Sequence, residues 1–188
     1  HRAVLIWRSF SHWVGGMGVL VFMLALLPMG GASSMHLMRA ESPGPSVGKL
    51  VPKVRSTAKI LYEIYSFLTI VLMILLVISG CPVFDSINLA FATAGTGGFA
   101  VLNSSAADYN AATQWILTIF MILFGVNFNV YFLFYVKKWK DGLRCEEARA
   151  YLGIILGSVA LISFNIYHLV RNVELTVRQA AFQVASII

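Results

Sequence analysis

Thr93-Ala94-Gly95-Thr96-Gly97-Gly98-Phe99 is the stretch on which the architecture turns. Just before it, residues 84–92 are apolar at helical spacing, with Asp85 near their start. A carboxylate there suits a helix N-terminus. These 9 residues are far short of the ~20 that cross a bilayer. The pattern predicts a half-helix that enters a membrane, stops at Thr93 and passes into a glycine-rich segment. Irregular backbone at that depth survives only where it is buried in protein or lines water.

Composition supports a lipid setting. Of 188 residues, 59% are hydrophobic and 12% charged, and mean hydropathy is +0.79. A soluble domain carries about 25% charge. The net charge of +6 does not point to nucleic acid, because the basic residues sit in short loops between apolar runs rather than along one binding face. Cys81 and Cys145 fall on loops assigned to opposite membrane sides, so no disulfide is expected. His1, His12, His36 and His168 are scattered and read as packing or interfacial residues, and no metal spacing is present.

Four apolar runs, at about 9–29, 60–80, 113–136 and 150–170, are each long enough to span a bilayer. The loop at 37–59 carries Arg39, Lys49, Lys53, Arg55 and Lys59. The loop at 137–149 carries Lys137, Lys138, Lys140, Arg144 and Arg149. The loop at 81–112 has no Lys or Arg. This alternation places the two basic loops in the cytoplasm and the 81–112 loop outside, in a multi-pass protein of the plasma (inner) membrane.

Polar residues inside these runs have local readings. Gly15-Gly16-Met17-Gly18 suits close helix packing in lipid. Pro28 and Gly30-Gly31 end the first span, and Glu41-Ser42-Pro43-Gly44-Pro45 cannot continue it. Lys59 and Glu63 form an i,i+4 pair. Asn127 and Asn129, in the third span, are either interhelical hydrogen-bond partners or candidate pore-lining residues.

The glycine-rich stretch suits a cation. Glycine reaches positive φ at little cost, so Gly95, Gly97 and Gly98 can turn successive carbonyls to one side. Such a row replaces the water shell of a dehydrated ion, and the half-helix aims its negative end at the same point. Thr93 and Thr96 add hydroxyl oxygens. The Thr-x-Gly-x-Gly spacing is that of the potassium-channel filter, with Thr96 where an aromatic usually sits. Residues 175–185 repeat the pattern of 85–94, with Ala181-Phe182 echoing Ala90-Phe91. A second half-helix is therefore expected at the end of the chain.

The stretches Trp7-Arg8-Ser9-Phe10, Trp13-Val14-Gly15-Gly16-Met17-Gly18, Arg39-Ala40-Glu41-Ser42-Pro43-Gly44-Pro45, 93–99 and Ala180-Ala181-Phe182-Gln183-Val184 resemble the TrkH/KtrB family of potassium transport subunits, its TrkH branch most. The resemblance covers essentially the whole chain. It implies an all-α integral membrane fold of repeated helix–pore loop–helix units of the potassium-channel-like type, with four transmembrane helices here. Residues 1–35 would be the closing helix of a first repeat and 36–54 a cytoplasmic loop. Residues 55–136 would be a complete second repeat with its filter at 84–99. Residues 137–149 would be a further loop, and 150–188 the truncated start of a third repeat.

The resemblance also implies K+ bound at Thr96, Gly97, Gly98 and Phe99, with Gly95 beside them, although a larger residue is expected at position 95. It implies a homodimer and a cytoplasmic ring of nucleotide-binding regulatory subunits, with K+ as the transported ion and no organic cofactor. The expected function is potassium transport through a carbonyl-lined filter, without enzymatic activity. A secondary transporter using a broken helix for another substrate, or a structural membrane subunit, remains open at this point.

Overall fold

A computed structural model describes residues 2–18, 54–135, 137 and 145–188. Every regular element among them is a helix. In chain order these are α1 Arg2–Gly16, α2 Val54–Ile78, α3 Val83–Ala94, α4 Ala111–Gly125, α5 Phe128–Tyr135, α6 Glu146–Val170 and α7 Val173–Ile187. The expectations for Pro28, Gly30-Gly31, 41–45, Arg39, Lys49, Lys53, Lys138, Lys140 and Arg144 lie outside the described residues, as do the side chains of Arg55 and Asn129.

Among the described residues, two helices are long and apolar enough to cross a membrane, α2 over Ala58–Ile78 and α6 over Glu146–His168. Of the first expected span, 9–29, residues 19–29 lie outside the described residues; α1 covers its start, from Arg2 to Gly16, after which Met17 turns and Gly18 takes φ +78°. The third expected span, 113–136, is not one helix. α4 ends at Gly125, Val126 is extended (φ −68°, ψ 137°), and α5 restarts at Phe128. The break has local causes. Asn127 stands in the N-cap position that its side chain favours, and the Tyr151 hydroxyl occupies the space a side chain at Gly125 would fill.

Helix starts follow the sequence. Asn110 Oδ1 accepts from the Thr113 amide at 2.7 Å and caps α4. Asn172 Oδ1 does the same for Leu175 at 3.2 Å and caps α7. α3 starts after Pro82 with Asp85 in its first turn, and α7 carries Glu174 in its own.

The core gathers around α2. Its Ala58, Leu61, Tyr65, Leu72 and Leu76 are buried against α3, α4 and α5. The Tyr65 ring packs on Trp13, Phe124 and Phe128 at 5.5, 5.7 and 6.0 Å. α6 is different: Ile154, Leu156, Leu161 and Phe164 all point outward. Cys81 and Cys145 are both free thiols.

Candidate functional site

The segment after α3 is shaped first by how that helix ends. The Thr96 amide donates to Thr93 O at 3.1 Å, and the Gly97 amide donates to Ala92 O at 2.7 Å. This pair of bonds is the Schellman ending, which needs one residue in the left-handed region. Thr96 fills that place with φ +55°. Glycine is the ordinary choice; a β-branched residue there is an outlier whose strain is about 1–3 kcal/mol. Gly98 follows with φ +64°, so left-handed backbone recurs two residues on.

This ending corrects one expectation about charge. The carbonyls of Phe91, Ala92 and Thr93 already accept the amides of Gly95, Thr96 and Gly97. Much of the negative end of α3 is thus answered inside its own cap. The oxygens left over lie further on: among the described residues, no donor reaches the carbonyls of Gly95, Thr96, Gly97, Gly98 or Phe99. Orphaned backbone oxygens need a partner.

α1 forms a wall beside this segment. Ser9 Oγ donates to Asn88 Oδ1 at 3.0 Å, and Asn88 Nδ2 donates to Phe84 O at 2.8 Å, a buried polar seam between α1 and α3. Lower down there is no room for side chains. A Cβ on Gly16 would lie 2.6 Å from both Gly95 Cα and the Tyr65 hydroxyl. A Cβ on Gly95 would lie 2.7 Å from His12 O. A larger residue at 95 would therefore push α1 away, which accounts for glycine where a larger residue was expected. Further out, the His12 and Phe99 rings lie 5.3 Å apart, and Arg8 stands 4.1 Å above the Phe99 ring.

Gly95 is buried against α1, whereas Thr96 and Gly98 are exposed on the opposite side. That open side faces a cavity of about 450 Å³ whose lining includes Thr93, Thr96, Gly97, Gly98 and Phe99 from one half-helix unit, and Gln183, Ser186 and Ile188 from the other. The ends of α3 and α7 thus meet at one space. A second cavity of about 480 Å³ lies against Ala94, Thr96, Asn127 and Glu147. Thr96 is common to both.

Asn127 Nδ2 donates to Glu147 Oε2 at 2.8 Å, between α5's start and α6, and the residue lines the second cavity. α7 is held by a polar chain: Arg178 Nε lies 3.1 Å from Glu174 Oε1, and Arg178 Nη1 donates to Gln114 Oε1 at 3.1 Å. On the loop that follows the segment, the Tyr109 hydroxyl donates to Asp85 Oδ2 at 3.0 Å. Burial first, and then that carboxylate bond, push the Tyr109 phenol well above its ordinary range. It stays a donor at neutral pH.

The sequence reading missed Arg8, His12 and Tyr65 as neighbours of the segment. Arg8 and His12 lie four apart, hence on one face of α1. Two basic side chains on one face of an otherwise apolar stretch was the available signal.

The Trk system potassium uptake protein TrkH of Salmonella typhimurium is 35% identical over 190 residues, 98% of this chain and 39% of its own length. The Escherichia coli protein of the same name is 34% identical over 193 residues, again 98% and 39%. The Trk system potassium uptake protein TrkG of Escherichia coli is 32% identical over 89% of this chain and 35% of its own. The chain thus spans about two fifths of the relatives it matches. Residues 1–186 match the family described as TrkH, cation transport protein. This chain belongs to the TrkH family.

Proposed function

We propose that residues 95–99 form one wall of a potassium filter in the channel-like membrane subunit of a potassium uptake system, and that the protein is not an enzyme. The observation that carries this reading is the row of five carbonyls, from Gly95 to Phe99, without donors among the described residues, in a segment whose residues 96–99 line a cavity shared with the end of α7. A dehydrated K+ needs oxygens to replace its water. Left-handed backbone at Thr96 and Gly98 supports a chain that can offer them from one side. Thr96, Gly97, Gly98 and Phe99 would coordinate the ion, with Gly95 at the inner end. Potassium as the cargo is supported by the names of the relatives.

One wall cannot surround an ion. The α6–α7 unit, whose end reaches the same cavity, supports a repeated helix–pore loop–helix plan with further walls from other repeats. In this reading the chain contributes four spans to the plasma membrane, with the 81–112 loop outside and the basic loops in the cytoplasm. Flow is passive, down the electrochemical gradient. Asn127 lines the inner approach; Asn129 is assigned there with it. Homodimerisation and a cytoplasmic nucleotide-binding ring follow from family membership as part of the proposal.

The test is Gly98→Ala in the full-length protein, reconstituted in liposomes, with rubidium and sodium flux measured. A Cβ at Gly98 meets nothing within 4 Å, so the change acts through its φ of +64° alone. The expected result is a loss of rubidium over sodium preference. Unchanged rate and preference would overturn the filter assignment.

A further inference from the structure

We propose that Arg8 is a positioning residue for ion selection: from α1, with His12 one turn below it, it holds the 95–100 segment at a set extension. The proposal rests on the filter reading above.

The contacts follow the segment residue by residue. At the inner end the His12 backbone closes on Gly95, its O 2.7 Å from where a Cβ would stand. The His12 ring carbon Cδ2 would lie 3.1 Å from a Cβ on Gly97, and the ring centroid lies 5.3 Å from that of Phe99. At the outer end the Arg8 guanidinium sits 4.1 Å over the Phe99 ring, and its Nη2 donates to Ala100 O at 3.1 Å. Gly95, Gly97 and Phe99 therefore touch α1, whereas Gly98 meets nothing within 4 Å. Left-handed backbone at Thr96 and Gly98 separates these three contacts. One helix holds the segment at three points, while residues 96–99 also line the cavity.

A segment gripped at both ends has a set length. Carbonyl spacing along it then depends on how far Ala100 is held from Gly95, and the holder at the outer end is Arg8. The guanidinium suits this task because it is planar and forked: it lies on an aromatic face and donates at its edge to a carbonyl. A lysine could reach the ring or the carbonyl but has no plane to lay on one while donating to the other.

The experiment measures rubidium and sodium flux by the full-length protein in liposomes, with Arg8→Gln, Arg8→Lys, Phe99→Leu and the Arg8→Gln/Phe99→Leu pair. Losing the ring contact and the carbonyl bond together is expected to lower the rubidium/sodium flux ratio about tenfold in Arg8→Gln. Arg8→Lys should fall between it and the parent. Phe99→Leu should lower the ratio as well, and the double variant should be no worse than the lower single one. A structural role alone would alter protein yield and total flux and leave the ratio in place. An unchanged ratio in Arg8→Gln, where Gly98→Ala has altered it, overturns the positioning role and leaves the filter standing. Unchanged ratios in both variants remove the filter reading itself. If Arg8→Gln fails to insert, an unaltered ratio in Phe99→Leu overturns the positioning role, and a lowered one supports it.

Discussion

In two places a short helix stands beside a helix that ends on glycine: α3 beside α1, which ends at Gly16, and α7 beside α4, which ends at Gly125. In each, a tyrosine from the long helix that follows donates to the carbonyl three residues before that glycine. Tyr65 bonds Trp13 O at 2.8 Å, and Tyr151 bonds Ile122 O at 3.2 Å. A Cβ on either glycine would run into that same hydroxyl. The surroundings differ. Tyr65 is fully buried and Tyr151 is half-buried. Gly16 also has the Gly95 backbone against it, while Gly125 has only the phenol. Of the apolar stretch of α2, 28% is buried, against 6% for α6. The shared plan is local, and the two places differ in how closely neighbours enclose it.

The largest test of this contrast is Gly16→Ala against Gly125→Ala. At Gly16 the added methyl meets backbone that cannot yield, and overpacking of that kind typically costs about 1–3 kcal/mol. Gly16→Ala is expected to abolish uptake by the full-length protein and lower its melting temperature. Gly125→Ala should retain part of its uptake, because the Tyr151 phenol can swing aside. Equal losses would break the comparison. A smaller effect is expected from removing each hydroxyl. Tyr65→Phe strips a buried carbonyl of its donor and should cost about 1 kcal/mol in thermal unfolding. Tyr151→Phe, at a more open site, should cost about 0.5 kcal/mol. The reverse order would mean that enclosure does not set the strength of these contacts. The smallest effect belongs to Lys59–Glu63, 3.9 Å apart and exposed on α2. Glu63→Gln should shift stability by less than about 0.5 kcal/mol and leave uptake unchanged. A loss of uptake would show that this face of α2 takes part in conduction.

Much of this could be read along the chain. The long apolar runs that become α2 and α6 needed only hydropathy, and the stop after Ala94 followed from Gly95, Gly97 and Gly98. The conformation of Thr96 did not. A β-branched residue argues locally against the left-handed region, and only the bonds of Gly97 and Thr96 back to Ala92 and Thr93 demand it. The break at Val126 was hidden because apolar residues continue on both sides of it. Gly125 and Asn127, two apart, were its trace. The grip of Arg8 on Ala100 joins residues 92 apart in sequence. No periodicity carries such a contact; it arises when α1 and α3 come close enough for Gly16 and Gly95 to touch.

That closeness has a consequence in time. Synthesis runs from the N-terminus and elements fold as they emerge. α1 therefore exists before the segment it grips, and α4 exists before α7 arrives beside it. The glycine-rich turn after α3 is laid against a surface made earlier, so the chain carries its template ahead of the segment that uses it.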